Sequence, residues 1–434
     1  MSLQTFERSL IAFILWLVSI VVAFTTGASL FFNVAYLLGG MIIFSFVWSW
    51  LNISWLKVSR QTFTRRVQVG QVAEERFSIE NKSYIPKLWV EFQDQSELPN
   101  YRASFVISGL KGKERYARTF RVVCLQRGRF RLGPIVLISG DPFGLFIVYQ
   151  KLPLRSNIIV YPLIIPLPYF RPLVGELIGG ESIYRRTHQI TTNVSGIREY
   201  APGDSFNRIH WPSTAKRSTS EMSRLMVKEF ELDPMADVWI VMDMARAVHV
   251  GTAFEDLPVP EIPLVPWEDM PEPEIGPSTE EYTIVVTASL AHHFIRQNKS
   301  VGMITYSRGG HCEIIQEDRG ERQENRILET LAVTHPQGRI SLHQVLIAEG
   351  VRFTRNTTLV IVTPSVALEW VSVVQHFVSR GVKTTTILID PSSFVDATVN
   401  TDDALEELLA SHIPTYIVRN GDRIDEVLES SRGF

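Results

Sequence analysis

His210 follows Glu199 and Asp204 closely along the chain, and an imidazole beside a carboxylate is the pairing that general-base chemistry uses. The residues around them are densely polar and aromatic: Arg198, Glu199, Tyr200, Pro202, Gly203, Asp204, Arg208, His210 and Trp211. Neither a nucleophile elbow nor a metal-ligand spacing accompanies them. Pro202-Gly203-Asp204 reads as a tight turn, and Asp204 or Ser205 can cap a short helical turn through Arg208 to Trp211. The charged side chains then serve as charge-assisted hydrogen bonds that fix a loop. A structural or interaction role for the set is expected, with a hydrolase using His210 as the alternative.

Other residues offer less chemistry. Gly175 to Gly180 is glycine-rich but lacks the Gly-Lys-Ser/Thr ending of a phosphate loop. Cys124 and Cys312 are the only cysteines, which excludes a disulfide-dense fold and zinc-like spacing. A net charge of −3 supplies no global basic field for nucleic acid. No cofactor is expected.

The elements that position these residues fall into distinct regions. No charge occurs between Arg8 and Lys57, and one spanning helix needs ~20 apolar residues. Two spans are expected, roughly Leu10–Phe24 and Val34–Leu51, with Thr25-Thr26-Gly27 and Asn33 in the reversal. Aliphatic and aromatic residues surround both, leaving no polar face. Trp48, Trp50 and Trp55 gather at the second span's end, as interfacial tryptophans do. Lys57, Arg60, Arg65 and Arg66 follow, so the positive-inside rule puts the soluble region in the cytoplasm. The expected location is therefore the cell membrane, multi-pass, as an integral protein.

From Val58 to about Pro162 short alternating segments and turn residues predict an antiparallel β-sandwich-like region. Arg127-Gly128-Arg129-Phe130-Arg131-Leu132-Gly133-Pro134 alternates basic and apolar residues, placing its arginines on a solvated strand face. Asp141-Pro142-Phe143-Gly144-Leu145-Phe146 reads as a turn before a phenylalanine-packing strand. Beyond Asp237 buried strands alternate with helices, the pattern of a mainly parallel sheet covered on both faces. The first of these strands runs Asp237–Asp243 and puts the Asp243 carboxylate at its carboxyl end, where such sheets hold ligands. Gly251 to Glu281 is proline-rich and acidic, and such composition cannot bury enough to order itself. It is expected to be a solvated spacer or a tether for a basic partner.

The segment from Gly196 to Glu231, with Arg127–Pro134 and Asp141–Phe146, resembles the bacterial domain-of-unknown-function family number fifty-eight. That resemblance implies two spans, a strand-rich region, the motif at Arg198–Trp211 and a C-terminal von Willebrand factor A-like (Rossmann-like) α/β domain. It also implies work in complex assembly beside a MoxR-type AAA+ ATPase. A functional von Willebrand A domain holds a divalent ion through Asp-x-Ser-x-Ser, because hard cations want oxygen ligands. Here the run is Asp243-Met244-Ala245-Arg246-Ala247, with alanine at both hydroxyl positions. Asp243 is thus expected as a turn or capping residue of a degenerate metal site, with Ser341 near the family's threonine position. The expected organisation is an anchor over 1–56, the sandwich-like region over 57–165, linker and signature over 166–235, and the α/β domain over 236–434 with its insertion at 251–281. The function expected is a non-enzymatic membrane scaffold; a metal-dependent adhesion module is the other alternative.

Overall fold

The computed structural model describes residues 3–170, 194–201, 206–217, 225–230, 237–251, 273–306, 312–355, 357–395 and 401–429. Two apolar helices open it, α1 (Leu3–Thr26) and α2 (Ser29–Ile53). Both are long and apolar enough to cross a membrane. The chain reverses at Gly27, whose φ of 66° is a left-handed conformation that favours glycine. Asn33 lies inside α2 instead of in the reversal. The end of α2 also departs from the all-apolar expectation. Ser45, Ser49 and Asn52 recur at helical spacing and are buried. Asn52 Nδ2 donates to Ser139 Oγ (2.7 Å) and the Gly140 carbonyl (3.1 Å), so this polar stripe docks α2 onto the strands that follow.

Those strands are β1 (Leu56–Thr62), β2 (Arg66–Gln68), β3 (Val72–Asn81), β4 (Lys87–Asp94), β5 (Ser104–Leu110), β6 (Arg115–Val123), β7 (Gly128–Leu132), β8 (Ile135–Gly140), β9 (Ile147–Leu152) and β10 (Ser156–Tyr161). They form three small sheets, ordered β1-β3-β6, β2-β10-β7 and β5-β4-β8-β9. Alternation puts Phe77, Ile79, Phe92, Ile107, Leu137 and Val160 into one shared core. The pairing is antiparallel except where β10 meets β2 in parallel. Inside this core Arg60 lies between Glu75 and Asp94, all three side chains at most 4% exposed.

A two-stranded ribbon, β11 (Val194–Glu199) with β12 (Met226–Phe230), flanks the short helix α3 (Trp211–Arg217). The C-terminal region is a six-stranded mixed sheet. Its strands are β13 (Asp237–Met242), β14 (Val301–Tyr306), β15 (Cys312–Asp318), β16 (Thr357–Thr363), β17 (Lys383–Ile389) and β18 (Thr415–Val418), in the order β15-β14-β13-β16-β17-β18. All neighbours are parallel except β14 and β15. Successive residues of β13 feed opposite faces. Val238, Ile240 and Met242 pack with α4 (Thr279–Arg296), α5 (Gly320–Val333) and α9 (Ile424–Glu429). Trp239 and Val241 pack with α6 (Leu342–Glu349), α7 (Leu368–Ser379) and α8 (Asp402–Ala410).

Two expectations need correction here. The acidic stretch does not extend as a spacer to Glu281: Ser278 caps α4 by accepting the Glu281 N–H, and Glu280 and Glu281 form the helix's first turn. Residues 252–272 lie outside the described residues. Arg127 is not on a solvated strand face. Its side chain is 1% exposed and paired with Glu280 and Glu281, while Arg129 and Arg131 are exposed as the alternation predicts. Arg127 sits before the first residue of β7, so the period-two pattern does not govern it.

Candidate functional site

The signature residues separate into a ribbon and a capped helix. Arg198 and Glu199 are exposed on β11, and Arg198 Nη1 donates to the Glu199 carbonyl at 3.1 Å. The Tyr200 ring stacks on Phe206 at 5.8 Å. His210 occupies the cap of α3: its Nδ1 accepts the Ser213 N–H (3.3 Å) and lies 2.7 Å from Ser213 Oγ. Its backbone N–H donates to the Met226 carbonyl, tying the helix to β12. The imidazole is therefore engaged in capping. Trp211 is 65% exposed. Pro202, Gly203 and Asp204 lie outside the described residues, as does the Arg208 side chain. Gly175 to Gly180 lie outside them too.

The α/β sheet reverses its strand order between β13 and β16, and open parallel sheets bind ligands at that crevice. Asp243 directly follows β13, and Thr363 ends β16. Thr363 Oγ1 donates to Asp243 Oδ2 at 2.8 Å, and the Ala245 N–H donates to Oδ1 at 3.0 Å. His249 Nε2 lies 2.9 Å from the Asp243 carbonyl oxygen. Burial pushes the Asp243 carboxyl above its usual range, against the pull of those hydrogen bonds, and pushes the His249 imidazole below its own. The side chains of Ala245 and Ala247 carry no oxygen, and both Asp243 oxygens are occupied by protein donors. These residues do not fit the divalent ion of a von Willebrand A site. Ser341 is used as well: it caps α6 in a reciprocal capping box with Gln344.

Beside this lock lies a cleft of about 590 Å³ lined by Arg246, Glu280, His335, Pro336, Gln337 and Arg339. Two loops build it by pairing backbone to backbone. Gly338 N–H donates to the Met244 carbonyl (3.1 Å) and Arg246 N–H to the Gly338 carbonyl (2.9 Å). A Cβ at position 338 would come within 2.6 Å of the Tyr306 carbonyl oxygen, so only glycine permits the approach. The pairing holds Arg246 and Arg339, both exposed, on the same cleft. His335 Nδ1 lies 2.9 Å from Glu280 Oε1. Burial opposes the Glu280 charge, but His335 and Arg127 outweigh it and hold the carboxyl below its usual range. The rim thus offers guanidinium groups suited to planar oxyanions such as carboxylates. Sequence reasoning had marked Asp243 and Arg246. It missed His249, His335 and Arg339, which only the Gly338 pairing and the α4 cap bring together.

Residues 196–256 match the family model described as "Protein of unknown function DUF58". The chain is also 21% identical over 322 residues to the uncharacterized protein YeaD of Bacillus subtilis (strain 168), spanning 73% of this chain and 69% of that one. It thus carries a DUF58 segment and is a distant homologue of YeaD. Among solved structures, the CARDB domain of the PF1109 protein from Pyrococcus furiosus is 18% identical, covering 24% of this chain and 91% of that one, at a TM-score of 0.18. A beta-glucosidase from Listeria innocua is 11% identical, covering 24% of this chain and 16% of that one, at a TM-score of 0.17. Neither likeness bears on the fold or the function.

The Asp243 lock leads to a first prediction. Its raised native pKa means the folded state holds a proton more tightly than the unfolded one. Stability therefore falls as pH rises from the unfolded carboxylate value through the native one. Asp243→Asn, which cannot ionise, should lose that part of the pH slope. Asp243→Ala should cost ~1–3 kcal/mol, because the Ala245 N–H and the Thr363 hydroxyl lose their buried partner. Thermal melts across pH, with and without Mg²⁺, check both; a melting increase on adding Mg²⁺ to the wild type that Asp243→Asn abolishes would contradict the lock.

Proposed function

We propose that this chain is a non-enzymatic scaffold, anchored in the cell membrane by the α1–α2 hairpin with its body in the cytoplasm. In this reading the C-terminal sheet is a von Willebrand A-like domain whose metal site has been replaced by an internal lock. The cleft beside the lock docks a protein partner through its arginines. The observation that carries the reading is the closed crevice: Asp243 is bonded to Thr363 across the strand-order reversal, while Arg246 and Arg339 stand exposed next to it. A divalent ion would offer a partner's carboxylate an oxygen-ligand site; guanidinium groups recognise a carboxylate without one. The resemblance of the chain's signature segments supports a MoxR-type AAA+ ATPase as the partner. The acidic stretch within 251–281 adds a tether to a basic surface of that partner or of another subunit.

Photo-crosslinking in intact membranes tests this. A photoreactive residue replacing Gln337, exposed on the cleft, should yield an adduct with the ATPase. The same residue replacing Val351, 88% exposed on the α6–β16 connection, should not. Equal adducts at both positions, or none at Gln337, would count against the cleft as the docking site.

A further inference from the structure

The turn Asp141–Phe146 leaves a phenylalanine uncovered beside the helix hairpin. Phe143 is 55% exposed, yet its ring stands edge-on to Phe44 of α2 at 6.4 Å, and Phe146 stands edge-on to Phe46 at 5.8 Å. The turn therefore lies against the helix hairpin itself. Its depth along the hairpin can be read from Arg8, whose Nη1 is 3.5 Å from the position a Cβ would take on Gly144. Arg8 is the last charge before the uncharged stretch of α1. From Ser9 to the end of α1 at Thr26 the helix rises about 27 Å at 1.5 Å per residue. That nearly matches the ~30 Å of a hydrocarbon core. The turn is thus level with the bilayer boundary, and Phe143, against Phe44, points to its apolar side. Trp50 and Trp55, edge-on at 5.7 Å, lie nearer the water, where interfacial tryptophans belong.

The backbone of the turn suits that medium. Lipid offers no hydrogen bonds, so polar groups there must be satisfied internally. Asp141, 3% exposed, accepts the N–H groups of Phe143 (2.9 Å) and Phe146 (2.7 Å). Gly144 N–H donates to the Asp141 carbonyl, and Pro142 has no N–H to satisfy. The carboxylate is consumed within the turn, and the face left outward is apolar, made by Pro142 and the Phe143 ring.

We propose that Asp141–Phe146 is a third membrane contact: a rigid wedge that places Phe143 among the lipid chains beside α2 and fixes the β region against the bilayer. It rests on the reading that the hairpin spans the membrane. The test uses the full chain in lipid nanodiscs with Cys312→Ser as background. Cys124 is buried with its thiol pushed up to about 12, so it resists labelling. Nitroxide labels go on Phe143→Cys, on Leu15→Cys in α1 (54% exposed) and on Val351→Cys (88% exposed). Relative to Val351, the Phe143 label should lose collisions with a water-soluble nickel chelate and gain collisions with oxygen, shifting toward the level seen at the deeper Leu15. If it behaves like Val351 while Leu15 reads as lipid, the wedge is wrong and the hairpin reading stands. If Leu15 also reads as water, the hairpin reading fails and the wedge with it.

Discussion

Arg127→Ala is expected to destabilise the folded chain by ~3–5 kcal/mol, the usual cost of leaving one partner of a buried ion pair alone. The guanidinium bridges two helix ends. Its Nε donates to the Leu331 carbonyl (3.3 Å) and its Nη2 to the Thr334 carbonyl (2.8 Å) at the end of α5. It also pairs with Glu280 and Glu281 in the first turn of α4. A cation at a helix C-terminus and anions at an N-terminus both favour the helix dipoles. Because Arg127 belongs to the β6–β7 connection, the same group joins the strand-rich region to the α/β sheet. Removing it strands the Glu281 carboxylate, whose side chain is 8% exposed. Lysine should recover only part of the loss, since it carries the charge without the planar fork. Glu280 is held below its usual pKa, so its share is present above the unfolded value and disappears as pH falls through the folded one. The penalty of Arg127→Ala should therefore shrink in acid. Denaturant unfolding of the detergent-solubilised chain at neutral and acid pH measures this; an unchanged midpoint at neutral pH would contradict the clamp.

Arg60→Met should have an effect of the same order inside the strand-rich core. Arg60 donates to Glu75 (2.6 and 3.0 Å) and to Asp94 (3.0 Å), and Tyr101 Oη donates to Glu75 at 2.7 Å. One cation thus holds two carboxylates away from water. Burial already pushes Asp94 above its usual range although Arg60 pulls it down. Without the guanidinium both acids face the core uncompensated, at ~3–5 kcal/mol, a large part of the ~5–15 kcal/mol stability of a domain. The raised native pKa of Asp94 means that protonation favours the folded state, so the variant should regain stability as pH falls. Asp94→Asn in the Arg60→Met background should restore part of the loss at neutral pH. Thermal melts of the two variants decide it: a single variant as stable as the wild type would show that the triad contributes nothing.

How far these features were legible depends on the range of the interaction. The apolar hairpin, the strand-rich middle and the alternating C-terminal region announce themselves because periodicity is local. Asp243 was legible because its position after an apolar strand defines its place on the sheet. The Ser45, Ser49 and Asn52 stripe was also visible at helical spacing, but the surrounding apolar residues masked it. Arg127 was misplaced because alternation speaks only for residues within a strand, and Glu280 lies 153 positions away. The cleft was hidden for the same reason: Arg246 and Arg339 meet only because Gly338 lets two loops pair. The signature segment identified relatives more readily than chemistry, since its histidine caps a helix.

The central claim, that the arginine cleft of an anchored scaffold docks a protein partner, is tested most directly by affinity capture from solubilised membranes. The full chain and an Arg246→Glu/Arg339→Glu variant are compared for partner recovery. Both residues are exposed, so the variant should fold and melt like the wild type. The account predicts that the wild type retains a MoxR-type AAA+ ATPase and that the variant loses it, with capture weakening as salt screens the charges. Undiminished capture by a correctly folded variant, at low and high salt alike, would contradict it.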